Sequence, residues 1–179
     1  MMHPEPTDTQ RAEVISRAGT GSRSALAALY GWYAADLLRL LTRLLASRDD
    51  AEDVVHDLFV GLPEQLSRYT EQGRFRGWLR ATAVGMARMA SRRDVRRERV
   101  LAREPGAVHG TRPSADPGVA LDLEHAVASL PATLRSVFVL KQWEGFSHDE
   151  IAALLHITPG ASRVRHTRAL ELLRSTLDR

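Results

Sequence analysis

Three stretches of the chain hold side chains whose type and spacing could do chemistry. In SRDDAEDVVHDLF (residues 47–59), Asp50, Asp53 and Asp57 recur at i, i+3 and i+7 on one helical face, while Val54, Val55 and Leu58 turn the other way. Clustered carboxylates suit a hard cation such as Mg²⁺, as in a helical nucleotide hydrolase, or a docking face for a basic partner. Acids near a helix start are also stabilised by the helix dipole with no ligand at all. A Mg²⁺ site needs a second acidic helix facing the first, and the sequence offers none. The second stretch, RFRGWLRATAVGMARMASRRDVRRER (residues 74–99), repeats arginine along a helix, with Tyr69, Phe75 and Trp78 near its start. Rings beside guanidinium groups suit single-stranded nucleic acid, because bases stack on the rings while the cations follow the phosphates. Any single one of those rings is more often a core residue than a stacking platform, as for Trp78 beside Leu79.

The third stretch is SHDEIAALLHITPGASRVRHTRALELL (residues 147–173), which has the layout of a helix-turn-helix. Ser147 and Glu150 form a capping box, and the tight turn His156-Ile157-Thr158 leads to a second helix. Its expected exposed face carries Arg163, Arg165, His166 and Arg168. Such a helix fits a major groove, where its first residues read base edges and arginines hold phosphates. The plain alternative is a helical hairpin with a solvated basic face. Seven histidines are scattered without metal-ligand spacing, and there is no HExxH, glycine-rich phosphate loop or Ser–His–Asp set. His56 and His156 read as helix-surface or boundary residues. The sequence argues for no catalysis, no cofactor and no metal.

Helices must position all three stretches, because helical periodicity dominates and strand alternation is nearly absent. Leu26, Leu29, Tyr30 and Tyr33 begin an apolar stripe that Leu37, Leu40, Leu41, Leu44 and Leu45 continue. Ser47 opens the acidic helix, and Pro63 lies near its end. The basic helix is expected from about Trp78. Residues 103–119 hold three Pro and three Gly with no apolar rhythm, which predicts a flexible linker. At about 5–6 Å × √n it would span roughly 20–25 Å on average. Three or four shorter helices follow. The expected architecture is all-α: two small helical domains on a tether, the second containing the helix-turn-helix. Residues 1–21 read as an N-terminal extension, 22–102 and 120–179 as the domains.

Composition is consistent with that reading. The chain has 179 residues, 44% hydrophobic and 26% charged, ordinary for a globular protein. It has no Cys, which excludes disulfides, thiolate zinc sites and Cys nucleophiles. No apolar run approaches a membrane span of about 18 residues, and Met1–Gln10 lacks a signal peptide's apolar core, so a cytoplasmic protein is expected. The net charge of +3 conceals strong segregation. Asp36 to Leu66 carries seven acids against three Arg, whereas Arg68 to Arg103 carries eleven Arg against three acids. The last twenty residues hold five Arg and two acids. Such blocks suggest a polyanion on the basic faces and a separate basic partner on the acidic one.

Taken together, DDAEDVVHDLF, GRFRGWLRATA and LPATLRSVFVLKQWEGFSHDEIAALL resemble, in that order, the motifs of bacterial sigma factors of the extracytoplasmic-function (ECF) group. The likeness runs from about Ala25 to Leu177. It implies that the acidic helix grips the clamp coiled coil of RNA polymerase β′ through Asp50, Glu52, Asp53, His56 and Asp57. It implies that Arg74, Phe75, Arg76, Arg80, Arg88, Arg92 and Arg93 hold the melted −10 strand. Opening that strand costs a few kcal/mol per unstacked base, offset by capture of an extruded base and by phosphate contacts. The C-terminal domain would read −35 DNA through Thr158, Ser162, Arg163, Arg165, His166 and Arg168, and meet the β flap. An anti-sigma factor is a further partner that the resemblance offers, and such factors act without enzymatic chemistry. Gly85 stands where the family usually has Asn, Met89 where it has Asp, and His56 where it has Gln. Ser162-Arg163-Val164 replaces the common Val-Lys-Ser. The alternatives are a helix-turn-helix regulator without polymerase docking and the Mg²⁺-dependent hydrolase.

Overall fold

A computed structural model describes residues 7–70, 73–101 and 119–177, with side chains described outside 92–101 and 119–122. Among these residues the chain is helical throughout: α1 (Asp8–Gly19), α2 (Arg23–Leu45), α3 (Arg48–Leu66), α4 (Phe75–Leu101), α5 (Val119–Ser129), α6 (Ala132–Phe138), a π-helical turn (Val139–Trp143), α7 (His148–Leu155) and α8 (Pro159–Leu177). The expected linker at 103–119 lies outside the described residues except for Val119, which opens α5. No described helix is long and apolar enough to cross a membrane.

Residues 8–19, within the stretch read as an extension, form a capped helix. Thr7 Oγ1 accepts from the Gln10 amide while the Gln10 side chain accepts from the Thr7 amide, a reciprocal capping box. Ile15 and Ala18 are buried as α1 packs on α2 and α3. In α2, Leu29, Leu37, Leu40 and Leu41 are almost fully enclosed. The helix ends at Ala46, which adopts the left-handed conformation at φ 53°. Ser47 then caps α3 by accepting from the Asp50 amide at 3.3 Å, as its spacing predicts. Pro63 sits inside the last turn of α3, near its end as expected. The basic helix starts at Phe75, three residues before its predicted start.

Helices α1–α4 form one bundle and α5–α8 a second, smaller one, and the two bundles share a continuous buried core. The second bundle meets the first along α2 and α4. Its register there depends on the π-helical turn. The widened backbone, with the Glu144 amide donating to Val139 O at 3.2 Å, swings Trp143 beneath Arg43 and Glu144 toward Arg80. Gly145, at φ 74°, then lets the chain reverse into the capped start of α7.

Candidate nucleic-acid interface

Helix α3 places its acids as the periodicity requires. Ala51, Val54, Val55, Leu58 and Leu62 are buried against α2 and α4, so Asp50, Glu52, Asp53, His56 and Asp57 all project into solvent. Glu52 is held by Arg48 at 2.7 Å, an i,i+4 pair along the same helix. Val60 continues this face one turn on from His56 and Asp57 and is 67% exposed. Tyr30, half exposed, packs edge-on against Phe59 beside it, with ring centroids 4.9 Å apart. Sequence reasoning missed both apolar members of the acidic face. Among the described residues no group of three or more His, Asp or Glu side chains could hold a metal ion.

At the start of α4 the aromatic residues form a core, not a platform. Phe75 is 0% exposed and sits among Tyr33, Tyr69 and Trp78, with ring centroids 5.4, 5.5 and 5.6 Å away. The expectation that Phe75 touches DNA is therefore corrected: burial of its ring anchors α4 to the bundle and leaves no face for a base. Trp78 is half-buried against the same cluster. The arginines around it are differently engaged. Arg74 is exposed; Arg76 pairs with Asp36 of α2 at 2.6 Å, and Asp36 also takes Arg39. Arg80 is tied to Glu144 of the other bundle at 3.0 Å, in a pair largely shielded from solvent. Arg88 lies half-buried at the edge of the inter-bundle groove, and the side chains of Arg92 and Arg93 fall outside the description. A Cβ built on Gly85 meets nothing within 4 Å.

The helix-turn-helix is built as its caps predict. Ser147 and Glu150 complete the capping box of α7, and the hydrogen bonds from Ser147 hold the Glu150 carboxyl below its ordinary pKa. His156 turns the chain in the left-handed conformation at φ 52°. Thr158 is exposed, and its Oγ1 accepts from the Ala161 amide at 3.1 Å. Arg163 and Arg168 project into solvent as expected, but Ser162 does not. Ser162 is 0% exposed and shares a 2.9 Å hydrogen bond with His148 Nδ1, so direct contact between Ser162 and DNA is corrected to a link between α7 and α8. His166 is also turned inward. It stacks on Phe138, lies edge-on to His148 at 5.7 Å and shares a 3.1 Å hydrogen bond with Gln142. Burial lowers the pKa of both histidines. The charge of Lys141 adds to this for each, that of Arg163 for His148, and that of His148 for His166. Arg165 is half-buried and lines the groove toward α4. The face α8 presents in its first turns is instead Gly160, Arg163, Val164, Thr167 and Arg168.

The two bundles are pinned by Arg135, which sequence reasoning did not single out as a contact. Its buried guanidinium donates to Leu44 O (3.0 Å) and Leu45 O (3.3 Å) at the end of α2. It also donates to Ala128 O (2.7 Å) and Leu130 O (3.2 Å) at the end of α5. One cation thus serves orphan carbonyls at two helix C-termini, where the backbone dipoles favour positive charge. Burial lowers its pKa. Arg43 adds a pair with Glu124 at 2.9 Å and a stack over Trp143 at 4.5 Å. Beside these contacts a groove of about 760 Å³ runs between the bundles, lined by Leu44, Val84, Ala87, Leu155, Arg88 and Arg165 among others.

This arrangement has known counterparts. Residues 29–97 match sigma-70 region 2 and residues 120–173 match sigma-70, region 4. The RNA polymerase sigma factor CarQ of Myxococcus xanthus is 31% identical over 165 residues, covering 91% of this chain and 95% of its own. The RNA polymerase sigma factor CnrH of Cupriavidus metallidurans is 30% identical, over 99% and 97% of the two chains. The structure of CnrH in complex with the cytosolic domain of CnrY superposes with a TM-score of 0.59 at 25% identity, over 96% of this chain and 98% of that one. The sigma factor RpoE of Bartonella quintana, crystallised with the anti-sigma factor NepR, shares the fold with a TM-score of 0.63 at 22% identity, over 80% and 91%. The two matched regions lie in the bundles that carry the acidic face and the helix-turn-helix. The chain belongs to the ECF group of the sigma-70 family, and it is a promoter-recognising sigma factor of RNA polymerase.

Proposed function

We propose that the exposed acid row of α3, Asp50, Glu52, Asp53, His56 and Asp57, docks the clamp coiled coil of β′. In this reading Arg74, Arg76, Arg80, Arg88, Arg92 and Arg93 of α4 hold the −10 strand, while Thr158, Arg163, Arg165 and Arg168 of α8 hold −35 DNA. Residues 22–102 and 120–179 act as the two binding domains, joined through 103–119, with the second also meeting the β flap. An anti-sigma factor is proposed as the regulatory partner, and the protein acts by binding alone, in the cytoplasm. One observation carries the reading: α3 turns Ala51, Val54, Val55, Leu58 and Leu62 inward and leaves Asp50, Glu52, Asp53 and Asp57 exposed on its outer side, on a bundle whose next helix is strongly basic. A row of that sign repels nucleic acid and attracts a basic protein surface.

The test is co-purification with bacterial core RNA polymerase. Asp53→Arg with Asp57→Arg, both at exposed positions, is expected to abolish core binding while leaving the helical content and thermal midpoint of the free chain intact. Unchanged core binding in that variant overturns the docking assignment. Retention of duplex DNA without any core binding by the unaltered chain moves the reading to a helix-turn-helix regulator.

A further inference from the structure

The corrected phase of α8 changes which side chains can enter a groove. With Ser162 and His166 turned inward and Arg165 facing α4, the first turns of the helix present Gly160, Arg163, Val164, Thr167 and Arg168. These positions fall at i, i+3, i+4, i+7 and i+8, a single stripe. Gly160 has no side chain, and the two arginines are long enough for phosphates or for guanine. Val164 is the apolar member of the stripe and is 51% exposed. A single exposed valine on a protein surface needs no explanation by itself. This one stands in the middle of a basic strip, in the part of a recognition helix that approaches base edges, flanked by Arg163 and Arg168. Valine is also a weaker helix former than alanine or arginine, so helix stability does not account for it.

We propose that Val164 is a specificity-determining residue of −35 recognition: its isopropyl group packs against the 5-methyl of a thymine in the major groove, with the Thr167 methyl beside it. The 5-methyl is the apolar group that the major groove displays, and it distinguishes thymine from the other bases. A short, stiff, branched side chain matches it and can neither donate nor accept a hydrogen bond. The −35 element of this factor therefore includes a thymine opposite the second turn of α8. The inference rests on the reading of α8 as the −35 helix.

The test uses holoenzyme assembled from the full chain and bacterial core RNA polymerase. Promoters are first selected from a randomised library, and each −35 thymine of the selected duplex is then replaced by deoxyuridine, which removes only the methyl. At one thymine the replacement is expected to weaken binding roughly three- to fourfold, the worth of one buried methyl. Holoenzyme carrying Val164→Ala should lose that penalty at the same position while keeping its stability, since the side chain is exposed. A penalty of equal size in the Val164→Ala holoenzyme, or no penalty at any −35 thymine, overturns the proposal. Holoenzymes with Arg163→Ala and Arg168→Ala distinguish the two levels of failure. If these shift the selected −35 sequences while Val164→Ala does not, Val164 alone is misassigned. If none of the three shifts them, α8 is not the −35 reader.

Discussion

Arg135→Met tests whether the two bundles are held together by one buried cation. Methionine keeps an apolar stem of similar reach but removes the guanidinium and with it every donor. Four hydrogen bonds disappear, of which two, to Leu44 O and Leu45 O, join the bundles. Hydrogen bonds to a charged group contribute about 1.5–3 kcal/mol each in proteins. The lower figure applies here, because the carbonyls at the end of α2 regain water once the bundles part and the guanidinium recovers its hydration. The separation equilibrium should therefore shift by roughly 2–3 kcal/mol, about 30- to 140-fold toward the open form. The chain has no native Cys, so Ser67→Cys and Ser175→Cys, both exposed, can carry spin labels without interference. Pulsed dipolar distances should be short in the free chain, longer on core polymerase, and longer in free Arg135→Met. Glu124→Gln, which loses only the partly exposed pair with Arg43, worth at most about 1 kcal/mol, and keeps the stack of Arg43 on Trp143, should open the chain far less. If Arg135→Met keeps the distance distribution of the parent, or Glu124→Gln opens the chain equally, the pin is not Arg135.

Phe75→Ala should destabilise the chain by about 3–5 kcal/mol, because the ring is fully enclosed among three aromatic neighbours. A denaturant midpoint shifted by less than half that amount would contradict its core role. Burial holds the pKa of His148 and His166 below the ordinary 6.5, so as pH falls past that value the unfolded chain takes up protons first. Stability is therefore level above about pH 7 and declines toward pH 5, with Lys141 and Arg163 opposing protonation and Asp149 favouring it at His148. Thermal midpoints should show this decline, and the double variant His148→Phe, His166→Leu should flatten it; an equal decline in both proteins refutes the assignment. Gly85→Ala should stabilise α4 by about 1 kcal/mol, since the added Cβ meets no neighbour. A lower denaturant midpoint would show that the helix depends on the glycine.

The helices were legible where side chains cap them. Ser47 with Asp50 and Ser147 with Glu150 announce α3 and α7, and the inward apolar residues of α3 set the direction of its acids. Helix α1 carried the same kind of signal in Thr7 and Gln10, passed over because its apolar stripe is short. Phe75 was misread because rings beside arginines look alike whether they stack on bases or on each other; only the positions of Tyr33 and Tyr69 decide it. The phase of α8 was misread because Ser162 and His166 are polar. They fall at −7 and −3 from buried Ala169, and that register outweighs their polarity once His148 and Gln142 supply partners. Arg135 left no trace of its role. Its inter-bundle acceptors are backbone carbonyls 90 and 91 residues away, and no side-chain pattern marks them.

The pairing of Arg80 with Glu144 makes the second bundle a supplier of counterions to the first. In the closed chain that guanidinium already has its anion, so a phosphate reaching it exchanges one ion pair for another. Such an exchange yields little free energy until the bundles part and Glu144 is carried away. Polyanions met at random in the cell therefore gain less from α4 than its arginine count suggests. Were polymerase to part the bundles, the same helix would regain the charge of Arg80, with Arg76 still paired to Asp36 in its own bundle. Its affinity for the promoter should then fall more steeply with added salt than the affinity of the free chain for any nucleic acid.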